Sequence, residues 1–594
     1  MSTSNSDSTK KAHDGVVAKV VGADVEFANF FIDERSSAES RDYVAGTAGD
    51  AARLLLANIE GCSSGQGGSS LIISPGGYVY SFGYAAAPYG RYDDDWPDSR
   101  ESGCALPGYR EHAQDRGRKF LPTNGFSAYI DMEHLELCTC EVTSAFDHVA
   151  AWHAMMRIAR DAMHRTNAEL PPVKKVKVLA TNTGGQDKSW GSHLSVLVTR
   201  RCYDDLFNRK MHYLQWLASC QCASLILTGG GKVGSENGHS QVPYNISARA
   251  DYFETMAGPQ TTIQRPLCNT RNEALADDSG LARVHIIFFD STLCHTSILL
   301  RTGIMQIVLA MIEQGQVPMC LLDDPLDAVN CWSRDPELRA RAGMASGERY
   351  TAVDLLENVF EHAQRFVAAG RAEGLVPRVA EIMTRWGECL QAFRRGDIES
   401  LATKLDWVAK RSMLRRAVER RGVAWNAPLI KYLDQLYASV DPSEGLYFAL
   451  ERAGAVERVV SDGEIEKFVN QPAEDTRAWL RAAILRRAAP GTIDHVNWDT
   501  LRLRTAHTSR HGWTDYSYQT LPMKNPLGFT RAECESILAD APSLSQAVAQ
   551  LIHMQTAGPA ASTELVAPEL CAAPVNVPSA GECTTVSNPS FQGD

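Results

Sequence analysis

Ala128-Tyr-Ile-Asp-Met-Glu-His-Leu-Glu-Leu-Cys-Thr-Cys-Glu141 is the stretch that says most about the fold and the chemistry of this chain. It follows a turn signal, Pro122-Thr-Asn-Gly125, and it crowds together Asp131, Glu133, His134, Glu136 and Glu141. Carboxylates so close to one another repel unless cations or protons compensate their charge. Side chains alternate along a strand, so a strand here predicts Tyr129, Asp131 and Glu133 on one face. The simpler alternative is a solvated acidic loop.

A second pair of carboxylates follows an apolar, β-branched stretch near the start of the chain. Val17 to Phe27 has the composition of a strand, and Asp24 and Glu26 lie two residues apart in it. Period-two spacing points both side chains to the same side of a strand. Hard cations such as Mg²⁺ prefer carboxylate oxygens. The two stretches together therefore favour a shared platform for Mg²⁺ and a nucleotide.

A series of motifs runs in order from about residue 20 to residue 505. The segments are Gly22-Ala-Asp-Val-Glu-Phe27, Asn124-Gly-Phe-Ser-Ala-Tyr-Ile-Asp131, His134-Leu-Glu136, Cys140-Glu141, Arg265-Pro-Leu-Cys-Asn-Thr-Arg-Asn-Glu-Ala-Leu-Ala276, Arg283-Val-His-Ile-Ile-Phe-Phe-Asp290, Leu405-Asp-Trp-Val-Ala-Lys-Arg411 and Gln471-Pro-Ala-Glu-Asp-Thr-Arg-Ala478. Together they resemble the family of Pup ligases and Pup deamidases/depupylases, relatives of glutamine synthetase and γ-glutamyl-cysteine ligase. Each segment alone is a weak signal, whereas the ordered set is specific and covers most of the chain.

The depupylase branch of that family is the more similar one. Leu227 to Gly234, Trp425 to Pro428 and Gly445 to Tyr447 resemble it, and an insertion at 68–120 stands where depupylases carry a long loop.

The sequence also departs from the family pattern. Gly191-Ser-His-Leu-Ser-Val196 stands where the family has Gly-x-His-Glu-Asn-Tyr, so His193 is kept while Leu194 and Ser195 replace the Glu and the Asn. Leu275 and Leu137 replace a His and a Tyr of the family.

The resemblance implies an α+β fold, with a glutamine-synthetase-like antiparallel sheet packed with helices and a smaller C-terminal helical domain. The expected divisions are 1–15 as a disordered N-terminus, 16–345 as the catalytic domain with the 68–120 loop near its active site, 346–555 as the mainly helical domain and 556–594 as a flexible tail. Periodicity predicts strands at 17–30, 127–142, 173–181, 194–198 and 284–289, and helices at 146–166 and 296–314.

The resemblance also implies a role for ten residues, with ATP and Mg²⁺ as cofactors. Asp131 and Tyr129 are expected at the reaction itself; the expected nucleotide or phosphate contacts are Arg271, Arg283, Asn269 and His193; the expected metal ligands are Asp24, Glu26, Glu136 and His285. The residue chemistry agrees with these roles. A planar guanidinium suits phosphate oxygens, and a carboxylate among cations can act as a base or a nucleophile.

The amino-acid composition limits which binding partners and which cellular compartment are expected for this protein. The 594 residues are 44% hydrophobic and carry a formal net charge of −12, which disfavours nucleic acids and anionic membranes as partners. Fifteen Cys without the spacing of a disulfide scaffold predict reduced thiols. With no leader and no apolar run of about 18 residues, a cytoplasmic protein is expected.

Three functions remain open at this point. The first is an ATP-dependent amidase or isopeptidase acting on a glutaminyl or γ-glutamyl group of a small ubiquitin-like or Pup-like modifier. The second is a carboxylate–amine ligase that joins a glutamate γ-carboxylate to an amine, on a peptide or a small molecule. The third is a non-catalytic binding relative, suggested by Asp24, Leu194, Ser195 and Leu275 and opposed by the survival of Glu26, Asp131, Glu136 and Arg271. The first is favoured slightly.

Overall fold

The computed structural model describes residues 15–33, 46–63, 70–73, 79–82, 117–185, 188–508 and 514–557. Most of the predicted 68–120 insertion, the N-terminal segment up to residue 14 and the tail from residue 558 lie outside the described residues. Of the insertion, the structure gives a short hairpin and the strand that ends it.

The described helices and strands alternate irregularly along the chain. The α-helices are α1 Ala48–Ala57, α2 Ala145–Glu169, α3 Arg200–Asp204, α4 Met211–Thr228, α5 His295–Glu313, α6 Pro325–Ser333, α7 Ala352–Ala368, α8 Val379–Arg394, α9 Asp406–Arg421, α10 Pro428–Tyr437, α11 Leu446–Arg452, α12 Asp462–Asn470, α13 Ala478–Arg487, α14 Arg531–Asp540 and α15 Leu544–Ala557. The strands are β1 Val21–Asp33, β2 Cys62–Ser63, β3 Ser70–Ile73, β4 Val79–Phe82, β5 Lys119–Phe120, β6 Ser127–Asp131, β7 His134–Cys138, β8 Lys174–Leu179, β9 Ser192–Thr199, β10 Lys232–Val233, β11 Tyr244–Asn245, β12 Thr255–Gly258, β13 Pro266–Asn269, β14 Leu281–Ile286, β15 Ala342–Gly343, β16 Arg349–Tyr350, β17 Ile493–Val496, β18 Thr500–Thr508 and β19 Thr514–Pro522.

An eight-stranded antiparallel sheet is the centre of the fold. Its strand order is β14-β9-β1-β7-β6-β5-β2, and β8 also pairs with β1. Strand β1 is long enough to pair with β7 and β9 through its first half and with β8 through its second. Helices pack around this sheet, so the expected α+β class is confirmed.

Helix α5 is the buried centre of the helical layer. It is the one helix of the described residues whose length and hydropathy would suffice to cross a membrane, and its residues from His295 to Ile312 are all buried inside the protein. It packs against α2, α4 and α8. Nη1 of its Arg301 donates to Ser192 Oγ and to the backbone oxygen of Asp290, both at 3.1 Å, so this buried guanidinium is hydrogen-bonded through one of its nitrogens.

The strand and helix predictions agree with the structure to within a few residues, apart from one turn. The prediction that Glu133 shares the face of Tyr129 and Asp131 was wrong. Strand β6 ends at Asp131, Met132 has a φ of +52°, and Glu133 lies exposed in the tight turn to β7. The positive φ reverses the chain before the alternation can reach Glu133.

The C-terminal part contains a three-stranded sheet that the periodicity did not indicate. Strands β17, β18 and β19 pair antiparallel in that order. Together with α13, α14 and α15 they enclose a second core that includes Trp479, Leu503 and Leu521. The described residues up to Ile552 form one compact unit, while the predicted division at residue 345 stays a prediction.

Candidate active site

The register of the central sheet brings the sequence-predicted carboxylates together on one face. Glu26 of β1 lies directly opposite Glu136 of β7, which lies opposite Tyr129 of β6. On the other side of β1, Asp24 lies opposite His193 of β9. Directly opposite residues point to the same face of an antiparallel sheet, so one row of side chains crosses four strands.

The row continues onto the last strand of the sheet. Ser195 of β9 lies opposite His285 of β14, and Arg283 precedes His285 by two residues. Period-two alternation therefore places Arg283 on the same face as His285. The predicted site residues from five separate segments thus meet in front of one sheet.

A cavity of about 860 Å³ lies over this face. It is lined by nine of the ten predicted residues, all except Asn269. Cationic side chains surround the carboxylates, and they are Arg118, Arg249, Arg265, Arg271, Arg283 and Arg477. Guanidinium groups facing carboxylates across such a space suit a ligand that carries both phosphate and metal ions.

Glu26, Asp131 and Glu136 form the first group that could hold a cation. One carboxylate oxygen from each lies within 4.8 Å of the others. Glu26 Oε1 accepts a hydrogen bond from the backbone N–H of Gly191 at 2.8 Å, which fixes its position. Burial, followed by the charges of Asp24, Glu26 and Asp131, raises the pKa of Glu136 well above its ordinary value. Glu136 therefore holds its proton more strongly than an ordinary carboxyl group does.

Asp24, His193 and His285 form the second such group, with one ligand atom from each within 4.8 Å of the others. His193 Nδ1 lies 3.0 Å from Asp24 Oδ2. Burial opposes ionisation of Asp24, but His193, His285 and Arg283 outweigh it and lower the pKa of this carboxyl. Burial and then Arg283 hold the pKa of His285 well below its usual range, so its imidazole is neutral, as metal ligation requires.

Tyr129 is buried beside the first group. The guanidinium of Arg118 lies 3.8 Å from the centre of its ring. Burial, and then the charge of Glu136, raises the pKa of Tyr129 well above its ordinary value, while its hydroxyl hydrogen-bonds Glu136. The phenol thus keeps its proton and can donate a hydrogen bond.

Of the other residues predicted to contact nucleotide or phosphate, two line the cavity and one does not. Arg271 and Arg283 line the cavity, and Arg283 is held by Glu273 through an Nη2–Oε2 contact of 3.0 Å and an Nε–backbone oxygen contact of 3.0 Å. Asn269 does not line it. Its amide donates to the backbone oxygens of Pro259 and Gln260 and accepts from the backbone N–H of Arg271, so it shapes the loop that carries Arg271.

Sequence reasoning assigned no role to four of the cavity arginines, among them Arg477, which lies in one of the matched motifs. Arg118 and Arg249 lie in no recognisable motif, whereas Arg265 opens a motif in which only the later residues drew notice. Arg249 is almost fully buried and donates to the backbone oxygen of Trp190. Burial and then Arg265 lower the pKa of Arg249 to about 9, so it remains a cation at neutral pH. A charge this deeply buried is one that a functional site commonly retains.

Glu141, which closes the acidic stretch, is held by two arginines of the C-terminal part. Arg477 Nε lies 2.7 Å from its Oε1 and Arg481 Nη2 lies 2.5 Å from its Oε2. Burial alone would raise its pKa, but the two guanidiniums lower the pKa of Glu141 to about 2. Arg481 also donates to the backbone oxygen of Trp498, which lines the cavity. This pairing joins α13 and one wall of the cavity to the end of β7.

Gly191 is a position where a single methyl group should disable the site. An added Cβ would lie 2.2 Å from His193 Nε2 and 2.6 Å from Glu26 Oε1, far inside van der Waals contact. Both are ends of side chains, so we expect Gly191→Ala to fold while both cation groups are displaced. The measurement is thermal unfolding with and without Mg²⁺ and ATP, in which the variant should lose the ligand-induced shift. Gly280→Ala is the matched control, because nothing lies within 4 Å of its Cβ position. A ligand-induced shift in Gly191→Ala as large as that of the wild type would contradict the prediction.

The comparisons with known proteins agree with one another. Residues 19–502 match the family model described as Pup-ligase protein. The Pup deamidase/depupylase of Mycolicibacterium smegmatis is 30% identical over 432 residues, which are 73% of this chain and 83% of the relative. The Pup–protein ligase of Pseudarthrobacter chlorophenolicus is 31% identical over 430 residues, 71% of this chain and 90% of the relative. A solved structure of the Pup ligase PafA in complex with ADP matches with a TM-score of 0.61 and 25% identity, covering 74% of this chain and 90% of that one.

Proposed function

Since the chain belongs to the Pup-ligase family, we propose that it is an ATP- and Mg²⁺-dependent enzyme that hydrolyses an amide or isopeptide bond at a glutaminyl or γ-glutamyl group. The group would be carried by a small protein modifier of the Pup type, which the names of its relatives specify as their partner. The observation that carries the proposal is the pair of cation-binding groups beside each other, with Asp131 in one of them.

The residues present fit divalent cations and a nucleotide. Glu26, Asp131 and Glu136 offer only oxygen atoms, the ligands that Mg²⁺ prefers. Asp24, His193 and His285 offer one oxygen and two nitrogens, a mixed set that also binds divalent cations. When bound there, Mg²⁺ would neutralise negative charge on the phosphates of ATP and make them available for reaction with the γ-carboxyl group. That a Pup ligase of this fold binds ADP supports nucleotide binding here.

The chain's own groups orient and polarise the reactants. Arg271 and Arg283 face the carboxylates from the cavity wall, and Glu273 fixes the Arg283 fork so that it can meet phosphate oxygens in one orientation. Asp131 ends β6 at the cavity, where it would act as the base toward an amine or water, or as the nucleophile on the γ-carbonyl. Tyr129, as a protonated phenol, would hold Glu136 in place through its hydrogen bond.

The second candidate is a ligase that forms the same bond. Its specific support is that Pup–protein ligases match this chain as well as depupylases do, at 31% and 30% identity. The same residues would then activate a glutamate γ-carboxylate, and Asp131 would take the proton of the attacking amine. A non-catalytic relative is less consistent with the site, because Glu26, Asp131, Glu136 and Arg271 all line the cavity.

The proposal is tested first by binding and then by products. Millimolar ATP with Mg²⁺ should raise the unfolding temperature, because a ligand bound by the folded state alone adds to its stability. Glu26→Gln should lose this shift, whereas Glu133→Gln, which changes an exposed carboxylate in the neighbouring turn, should keep it. No shift in the wild-type protein, or the same shift in Glu26→Gln, would contradict the proposal.

The products distinguish the two directions. A modifier ending in Gln, a modifier joined to a lysine, and a modifier ending in Glu together with a free lysine are each incubated with the enzyme and nucleotide. Release of ammonia or amine without net ATP consumption identifies the hydrolase. Steady ATP consumption with a new isopeptide bond identifies the ligase.

Cation affinity should depend on pH through Glu136. Its pKa in the folded protein is raised above the ordinary 4.5, so its contribution to stability is fully present below pH 4.5 and is lost as the pH rises through the folded value. Cation binding needs the carboxylate and must release its proton. We expect Mg²⁺ affinity to rise by about tenfold per pH unit while this group titrates. Calorimetry in buffers of different ionisation enthalpy measures the proton that is released when Mg²⁺ binds. Glu136→Gln should bind without this proton release. A Mg²⁺ affinity that does not change with pH would contradict the prediction.

A further inference from the structure

Ser195 joins two residues of the site without belonging to either group of cation ligands. It lies on β9 opposite His285 and two residues after His193, and it lines the cavity. Its Oγ lies 3.3 Å from His285 Nδ1 and 3.4 Å from Arg283 Nη1. It also stands at one of the positions where the sequence departs from the family pattern, in place of an Asn.

The direction of one of these hydrogen bonds is settled by chemistry. A guanidinium can only donate, so Arg283 Nη1 donates to Ser195 Oγ. Arg283 cannot turn away from this contact, because its Nη2 and Nε are both bound to Glu273. A hydroxyl oxygen has two acceptor positions, so one remains for a second donor. His285 Nδ1, 3.3 Å away, is that donor when it carries the ring proton, whereas an unprotonated Nδ1 would accept from the Ser195 O–H instead.

The tautomer of His285 follows from that second bond. A neutral imidazole carries its proton on one nitrogen, and the other nitrogen then presents a lone pair. With the proton on Nδ1, directed at Ser195, the lone pair is on Nε2. Among the described residues Nε2 makes no hydrogen bond, and His285 supplies one of the three ligand atoms of the second cation group.

We propose that Ser195 is a positioning residue that holds His285 in the tautomer with the proton on Nδ1, so that Nε2 can bind a divalent cation together with Asp24 and His193. Such partners behind a metal-binding imidazole commonly fix its tautomer and its ring orientation. The inference rests on the proposed function for the identity of the cation, but it concerns the chain's own hydrogen bonds. The carbonyl oxygen of an Asn at this position could accept the same proton.

The first measurement reads the tautomer in the cation-free protein. Histidine ¹⁵N shifts, assigned with His285→Gln, should show Nδ1 protonated and Nε2 unprotonated in the wild type. Ser195→Ala should shift His285 toward a mixture of tautomers, and Ser195→Asn should restore the wild-type form. A wild-type His285 that carries its proton on Nε2 would overturn the proposal, because Ser195 would then be the donor.

The second measurement uses Mn²⁺ alone, without nucleotide or substrate. Pulsed electron paramagnetic resonance detects ¹⁴N coupling only from the group that contains His193 and His285, since the other group offers only oxygen. We expect Ser195→Ala to weaken this nitrogen-coupled Mn²⁺ by about 10- to 100-fold, the usual cost of losing such a partner. Ser195→Thr, which keeps the hydroxyl, should bind like the wild type.

The outcomes separate this inference from the proposed function. Equal Mn²⁺ affinity in Ser195→Ala and the wild type, or wild-type Mn²⁺ without nitrogen coupling, would overturn it. Absence of turnover on every γ-glutamyl substrate would defeat the proposed function and leave both of these readouts intact. An unchanged unfolding temperature in Ser195→Ala would show that the loss of affinity is not a loss of fold.

Discussion

Asp131→Asn is expected to reduce turnover by about 10²- to 10⁴-fold in either direction of the reaction, the range typical for removal of a positioned proton acceptor. The substitution is nearly isosteric, but an amide is neither a base nor a nucleophile at neutral pH. Asp131 ends β6 at the cavity, within 4.8 Å of ligand oxygens of Glu26 and Glu136. The loss should therefore appear in kcat.

The measurement must separate chemistry from cation binding, because Asp131 belongs to the first cation group. Turnover is followed at saturating Mg²⁺ and ATP, and nucleotide binding is measured under the same conditions. We expect binding and folding to persist in Asp131→Asn. Glu133→Gln, two residues further on and exposed, should turn over at the wild-type rate. An Asp131→Asn enzyme with wild-type kcat would remove Asp131 from the mechanism and weaken the assignment of the family's chemistry to this chain.

Glu141→Ala should lower the free energy of unfolding by about 3–5 kcal/mol, the cost of leaving buried charges without their partner. The side chains of Arg477 and Arg481 are 3% and 0% exposed, and Glu141 is their shared acceptor. Removing it leaves two buried guanidiniums close together without the carboxylate that compensates their charge. Denaturant unfolding of the two proteins measures the difference directly.

The same pairing predicts how its contribution varies with pH. The pKa of Glu141 is about 2 in the folded protein against an ordinary 4.5, so its contribution is fully present above pH 4.5 and is lost as the pH falls toward 2. The difference between wild type and Glu141→Ala should shrink over that interval. Glu535→Gln, which breaks a fully exposed pair with Arg531, should unfold like the wild type. A Glu141→Ala protein as stable as the wild type would mean that the two arginines find other partners.

The local spacing of residues was sufficient to predict those features that depend on a single strand or a single helix. Period-two spacing placed Asp24 with Glu26, and Tyr129 with Asp131, because alternation is a property of the strand itself. The buried helix α5 was found to within one residue at each end for the same reason. The one error on this face, Glu133, came from a turn in which Met132 takes a positive φ. Composition and period carry little information about where such a turn begins.

The sequence by itself determined most strands of the central sheet, the long helices that pack on it and the residue types that meet cations and phosphate. Only the tertiary structure decided which of them meet. Register places Glu26 opposite Glu136 and Ser195 opposite His285, and it depends on pairing between segments more than 80 residues apart in the chain. Likewise, Arg249 enters the cavity and Arg481 reaches Glu141 only because distant segments pack together. A charge acts over a few ångströms of space, and that distance is independent of separation along the chain.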